Sequence, residues 1–466
     1  MFLLATAQKD SFAFILYRFA WLVLLVVGGL SIIAILGLMI AQTSVIDLIS
    51  DLPNFLEPKS VGLLAGTLGV VLLVSLVVGW FQTAIISRIG EELILLTVYL
   101  TPFAVAGVSV FIYYQTQTID YLGGLVVAVV FMAVVLWFRK KIRLSARLVE
   151  IGGEIAVSNP KMFLPEFSSL ILTIIVTALW LSGVGLILII ASYLALPGII
   201  GGIIVMIIYS FFYYFATSVI RATAEAINIA YTQQWYEKPS ASPSLGQSKA
   251  KVKKLRGPVA RYALLMGTVR YFRRNRSQSG FTPFSLFKYM RFTSWKDLVF
   301  GRVFGGSGGG VASTVARVVE YLGTFTLIII VSKNLNSVTD AFKQSTKGVF
   351  HTFVTNIAGS MGINIVNSFR KLISFLLLVG SGLVYGYLVY AEAIGETDVA
   401  WLWAIIMGIL FLVLGFIPLN AMFAPVVTSY QYVLYQTYID SKGRGRISGR
   451  IDDKTKKLLK EIYDKK

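Results

Sequence analysis

Long apolar stretches separated by short polar segments dominate the chain. A helix that crosses the hydrocarbon core of a bilayer needs about 20 consecutive apolar residues, because every backbone amide must be paired within the segment. Ten stretches approach or reach that length, so the pattern predicts an all-α, polytopic membrane protein with about ten transmembrane helices. They lie near Phe14–Ala41, Val61–Ile85, Leu93–Tyr114, Tyr121–Phe138, Phe167–Leu194, Gly198–Ile220, Val311–Ser332, Thr352–Ser368, Leu372–Tyr390 and Trp401–Pro425.

The seventh and eighth stretches are the weakest of the ten. Arg317 and Glu320 interrupt the seventh, and three asparagines dilute the eighth. A glycine-rich run at 305–310 precedes both stretches and allows the backbone to bend sharply. A re-entrant arrangement of this region is therefore an open alternative to two full spans.

Composition excludes most soluble function classes. The chain is 56% hydrophobic and 14% charged, whereas an ordinary soluble domain carries roughly 25% charged residues. It has no cysteine and one histidine, His351, which excludes disulfides, thiolate nucleophiles and Cys-based or paired-His metal sites. No nucleophile elbow or phosphate-binding loop is present. We therefore predict no enzyme activity, no metal site and no cofactor.

The positive charge is concentrated in two segments. Of the net charge of +19, most comes from 237–302, with 15 Lys/Arg against two acidic residues, and from the stretch after Tyr438, with ten against five. Lys and Arg in loops favour the cytoplasmic side, so we predict a multi-pass protein of the cell membrane with both termini in the cytoplasm. Lysines in 333–350 are the exception, because this topology places them outside if the two weak stretches both span.

The same pattern divides the chain into four regions. Prolines and small polar residues at 239–246 indicate a flexible linker, and aromatic and basic residues alternate at Val259–Tyr271 and Phe284–Phe292 as in interfacial helices. Apolar spacing predicts a short surface helix at Ile451–Tyr463. The predicted regions are a membrane region 1–236 with six helices, a basic cytoplasmic loop 237–302, a membrane region 303–435 with about four helices, and a basic cytoplasmic tail 436–466.

Arginines near the middle of the basic loop are candidates for contact with lipid headgroups. A basic patch with aromatic residues also attracts nucleic acid, but anionic headgroups offer the same charge directly beside the membrane. We therefore predict anionic membrane lipids as partners and no nucleic acid; the alternative is that the loop only sets topology. The candidates are Arg270, Arg273, Arg274 and Arg276.

Polar residues within or beside the spans are candidates for a substrate pathway, since charges in a membrane are costly. Two charge pairs have helical spacing, and one aromatic stripe is suited to hold a small organic cation by cation–π attraction. The alternatives are a structural ion pair near a helix end for Arg221 and Glu225, and core packing for the aromatic stripe. The candidates are Arg317, Glu320, Arg221, Glu225, Tyr209 and Tyr213.

Three segments carry a family resemblance. The helix Ala222–Tyr236 closes in Trp235-Tyr236, the segment Ser337–Lys343 contains Asp-Ala-Phe, and Tyr432–Asp440 ends in an acidic residue. Together they resemble the choline transporter-like family of eukaryotic multi-pass membrane proteins. The chain departs from that family in having Glu237 where a Phe is expected, no cysteines and no long loop after the first span. The Asp-Ala-Phe segment is also similar to one in a group of prokaryotic multi-pass membrane proteins.

The resemblance implies movement of choline or a related cation. Our hypothesis is a transporter or facilitator for a small amine or lipid precursor such as choline. The alternative is a non-transporting scaffold or accessory subunit whose basic loop and tail bind anionic lipid or a partner protein. Association with a second copy or with another membrane protein is open.

Overall fold

The computed structural model describes residues 2–41, 58–117, 123–193, 195–275, 323, 325–351, 370–371, 373–390, 400–440 and 447–463. Regular structure in these residues is helical throughout, as the apolar pattern predicts. The helices are α1 (Phe2–Ala41), α2 (Pro58–Thr116), α3 (Gly123–Trp137), α4 (Arg139–Ser158), α5 (Phe163–Tyr193), α6 (Ala195–Glu237), α7 (Leu245–Lys254), α8 (Arg256–Asn275), α9 (Thr326–Lys333), α10 (Val338–His351), α11 (Ile373–Val389), α12 (Ala400–Ile439) and α13 (Asp453–Tyr463).

Five of the described helices are long and apolar enough to cross a membrane. Two more, α3 and α11, are apolar but shorter. The all-α prediction is thus confirmed, whereas the count of about ten spans is not. The eighth stretch and most of the seventh lie outside the described residues. The five candidate spans are Ala13–Ala34, Gly66–Thr116, Pro160–Ala191, Ile200–Glu237 and Ala404–Ile439.

Helix α2 is interrupted close to the turn that the sequence predicts. Two spans separated by a turn at Arg88 are predicted there, and the 59-residue helix has non-helical backbone angles at Ile89 (φ −131°, ψ 21°), where two helices meet at a kink. A straight helix of that length would extend about 90 Å, three times the thickness of the hydrocarbon core. The kink therefore divides α2 into two arms, 58–88 and 90–116, each longer than the thickness of the core requires.

The described chain forms two compact units. The first contains Met1–Val74, Leu164–Ala230 and Gly246–Ser345, and the second contains Ser75–Phe163, Tyr231–Leu245 and Thr346–Lys466. Helices α2, α6 and α10 contribute residues to both units.

In the first unit, α1, α5 and α6 share an apolar core. Leu24, Val176 and Tyr209 are buried in it, and Trp21, Trp180 and other half-buried side chains pack around them. Close approach of α1 to α5 depends on Gly28, because a Cβ at this position would lie 2.5 Å from the carbonyl oxygen of Leu179. Small residues at such crossings are typical of helices that pack in membranes.

In the second unit, α4 packs against α12 and carries the C-terminal helix α13. Helix α4 begins with the basic residues Arg139, Lys140 and Lys141, yet twelve of its residues are buried. Gly152 allows the contact with α12, since a Cβ there would lie 2.7 Å from the carbonyl oxygen of Val426. The second unit therefore depends on a helix that lies between the fourth and fifth predicted stretches and contains neither of them.

The predicted linker at 239–246 is bound by the tail of the chain. Its first part has no helix, and α7 begins at Leu245. The guanidinium of Arg450 donates hydrogen bonds to the carbonyl oxygens of Pro239 (2.7 Å) and Ala241 (3.0 Å). It also lies over the ring of Trp235, 5.3 Å from the centroid. The contacts fix the backbone that follows α6.

Candidate functional site

Helices α5 and α6 form an antiparallel pair joined by polar contacts, which we call the polar seam. At one level the Trp180 indole donates to Ser210 Oγ (3.2 Å), and Tyr209 Oη donates to the carbonyl of Leu179 (2.8 Å). Fourteen residues from Trp180 along α5, Asn228 Nδ2 donates to Glu166 Oε1 (2.9 Å). Polar groups thus meet at both ends of a segment that is otherwise apolar, where water is scarce and hydrogen bonds are strong.

Aromatic rings occupy one end of the polar seam. The rings of Trp180 and Tyr213 are nearly parallel, with centroids 4.8 Å apart and an interplanar angle of 23°. The hydroxyls of Tyr213 and Thr177 share a hydrogen bond of 3.1 Å. Stacking uses the facing sides of both rings, so that only their outer faces can attract a cation.

Charged and amide groups occupy the other end. The carboxylate of Glu166 is buried at 8% exposure, and Asn228 is fully buried. Arg221 and Glu225 both interact electrostatically with Glu166, the first stabilising its negative charge and the second opposing it. Glu166 also lies in the first turn of α5, where the helix dipole favours a negative group. This end of the seam is therefore a buried carboxyl group that accepts a hydrogen bond from one amide and lies beside a charged pair.

The structure places the predicted site residues in different surroundings. Tyr209 is a core residue at 3% exposure, whereas Tyr213 is half-buried in the stack. Arg221 is exposed and Glu225 is half-buried, and both lie beside Glu166. The remaining candidates are not placed: Arg317, Glu320 and Arg276 lie outside the described residues, and Arg270, Arg273 and Arg274 belong to the last turns of α8, where only the helix itself is described.

Three residues of the seam are absent from the sequence-based candidates: Glu166, Asn228 and Trp180. Glu166 directly precedes the fifth apolar stretch, and an acidic residue at the start of a span is a weak signal that the sequence does contain. Asn228 follows Glu225 at a spacing of three, on the same face of α6. Their pairing joins positions 62 residues apart, and no local pattern specifies such a contact.

A buried arginine in the second unit also escaped the sequence analysis. Arg370 is 4% exposed and donates to the carbonyl of Leu419 (2.6 Å) and to Asn420 Oδ1 (2.7 Å). Its guanidinium lies 4.7 Å from the centroid of the Phe423 ring. The contacts join the residues just before α11 to α12, which is a structural role.

Comparison with protein families gives one match. A family model described as plasma-membrane choline transporter matches residues 122–442. This range is more than half of the chain and includes the whole polar seam, while α1, α2 and α13 lie outside it. None of the curated proteins compared with the chain matches it.

Proposed function

We propose, from the membership of this chain in the plasma-membrane choline transporter family, that it moves choline or another small quaternary amine across the membrane. The family match and the long apolar helices support a membrane transporter. The identity of the substrate is what we propose. The observation that carries it is the Trp180–Tyr213 stack at the end of the polar seam. Aromatic faces are the groups that recognise quaternary ammonium ions.

Electrostatics of the seam supports a cation as the substrate. Glu166 and Glu225 bring two carboxylates together near one arginine, Arg221. On α6, Tyr213 and Arg221 are two turns apart, about 12 Å along the axis. A cation that leaves the aromatic end therefore meets acidic groups at the other end, which lowers the cost of its transfer through an apolar region.

Uptake into proteoliposomes tests the proposal. We expect uptake of labelled choline to exceed that of ethanolamine and of a neutral control of similar size. Trp180→Leu should raise the KM for choline roughly 2- to 30-fold, because each aromatic face contributes about 0.5–2 kcal/mol to binding a desolvated cation. Tyr213→Phe keeps the ring and should change the KM little.

Trp137 provides the matched control. It is 84% exposed on α3 and its ring contact is with its neighbour Phe138, so Trp137→Leu removes an aromatic ring that is not one of the seam residues, and its KM should equal that of the unmodified protein. Equal uptake of choline and the neutral compound would contradict the proposal. The absence of any uptake by folded protein would favour the scaffold or accessory subunit, which the basic loop and tail support as the second candidate.

A further inference from the structure

Two arginines lie against a single phenyl ring in the first unit. Arg18 of α1 and Arg256 of α8 each place their guanidinium carbon 4.9 Å from the centroid of Phe14. Both arginine side chains are exposed. The ring attracts each cation, but two positive charges that meet on one ring also repel each other.

Among the side chains that the structure describes, none forms an ion pair with either guanidinium; the side chain of Asp10, earlier on α1, lies outside that set. The segment 245–275, which forms α7 and α8, contains nine Lys/Arg and no Asp or Glu. On α7, Lys249 and Lys253 are exposed, while Val252 is buried. Helix α7 therefore ends two residues before Arg256 with exposed lysines.

The position of the pair identifies the chemistry that would balance it. Phe14 and Arg18 lie at the start of the first apolar stretch, shortly after Lys9 and Asp10, and basic and aromatic residues at the end of a spanning stretch are typical of the headgroup region. Arg256 of α8 reaches the same ring, so we expect both guanidinium groups at the depth of lipid headgroups. Arg binds phosphate through two parallel hydrogen bonds from its planar fork, and basic residues beside a bilayer attract anionic lipid.

We infer that Arg18 and Arg256, converging on Phe14, bind the phosphate of an anionic phospholipid at the membrane surface. The lysines of α7 strengthen the attraction at longer range. The inference does not depend on the transported substrate, and it concerns residues other than the arginines near the end of α8.

Native mass spectrometry of the full chain in detergent tests this site, with phosphatidylglycerol and phosphatidylcholine of the same acyl chains as probes. We expect the unmodified protein to retain phosphatidylglycerol preferentially. Arg18→Gln/Arg256→Gln should weaken phosphatidylglycerol binding by about fivefold for each arginine removed, with phosphatidylcholine binding unchanged. Arg18→Lys/Arg256→Lys, which keeps the charge but lacks the planar fork, should show a smaller loss.

Lys457→Gln/Lys460→Gln is the matched control, because it removes two exposed charges from α13. It should bind phosphatidylglycerol as the unmodified protein does. An equal loss in this control, or undiminished binding in the arginine double variant, would overturn the inference. Displacement of the lipid by glycerol phosphate at equal concentration would overturn it as a lipid site and assign the arginines to a soluble phosphate ester. If the glutamine double variant has a lower melting temperature than the unmodified protein, the inference is judged from phosphatidylglycerol binding by the lysine double variant, and undiminished binding by that variant then overturns it.

Discussion

Single glycines control how closely the aromatic end of the seam packs. A Cβ at Gly183 would lie 2.5 Å from the hydroxyl oxygen of Tyr209, whereas nothing lies within 4 Å of a Cβ at Gly185. We expect Gly183→Ala to lower the melting temperature, since overpacking a buried contact costs about 1–3 kcal/mol. Gly185→Ala should leave it unchanged or raise it, because Ala exceeds Gly in helix propensity by up to about 1 kcal/mol. Equal melting temperatures for the two variants would contradict the predicted packing.

The pair of Glu166 and Asn228 gives a second prediction at this scale. Asn228→Leu removes the amide that donates to the buried Glu166 carboxylate, and we expect a loss of roughly 1.5–3 kcal/mol in stability. Replacing both partners with leucine should cost less than the sum of the two single changes, since no buried charge is then left without its donor. Thermal melting of the four proteins gives the coupling energy, and additive losses would show that the contact does not stabilise the fold. Ser168→Ala, which removes a hydroxyl bonded only within its own helix, is the control.

At the scale of elements, ion pairs attach the C-terminal helix α13 to the rest of the second unit. Lys454 Nζ lies 3.0 Å from Glu91 Oε2, and Asp452 lies 3.6 Å from Arg147. Asp452 also begins the helix, accepting hydrogen bonds from the backbone and the hydroxyl of Thr455. Burial would raise the pKa of Asp452, but the hydrogen bonds of Thr455 and the charge of Arg147 outweigh burial and hold the pKa below its ordinary value.

A lowered pKa makes the attachment of α13 dependent on pH. The ionised Asp452 stabilises the folded protein above its ordinary pKa, and this contribution is lost as the pH falls through the lowered value. Asp452→Asn keeps a residue that caps helices well but removes the charge. We expect it to lower stability by roughly 0.5–1 kcal/mol at neutral pH, as for a partly exposed pair, and to melt like the unmodified protein once the pH is below the pKa of Asp452. Asp453→Asn, which changes an exposed neighbour, should have little effect at either pH; a loss as large as that of Asp452→Asn would contradict the role of the Arg147 pair.

The elements also show how far the sequence predicts this fold. Long apolar runs predict the helices α1, α5, α6 and α12, because a bilayer leaves a helix as the only way to pair the backbone of such a run. Long apolar runs do not predict helix α4, since its apolar residues face one side and its arginines the other.

The polar seam is predicted only in part. Tyr213, Arg221 and Glu225 follow from helical spacing, but their partners Trp180 and Glu166 lie on another helix, and nothing in the sequence specifies which two helices pair.

At the scale of the whole molecule, charge distribution and family membership concern different parts of the chain. The family match covers the seam but ends before α13, and the arginine pair on Phe14 draws one partner from α1, outside the matched range. Transport chemistry is therefore expected in the matched part. The proposed lipid site takes Arg256 from the matched part and Arg18 from outside it, and the tail helix α13 lies wholly outside it. A chain trimmed of α13 should retain its substrate preference if it folds.

The charge distribution predicts the orientation in the membrane, and the absence of cysteine from the sequence allows a direct test. Positive loops remain on the cytoplasmic side during insertion, so Lys253→Cys on α7 and Lys457→Cys on α13 should react with a membrane-impermeant maleimide only after right-side-out vesicles are permeabilised. Thr116→Cys, at the exposed end of α2, should react in intact vesicles, because the short segment that follows it, which contains Asp120 and no Lys or Arg, is predicted to lie outside. The unmodified chain supplies the background. The predicted orientation rests on the cost of moving many lysines and arginines across the bilayer. Reaction of Lys253→Cys in intact vesicles would place the basic loop outside and would therefore reverse that orientation.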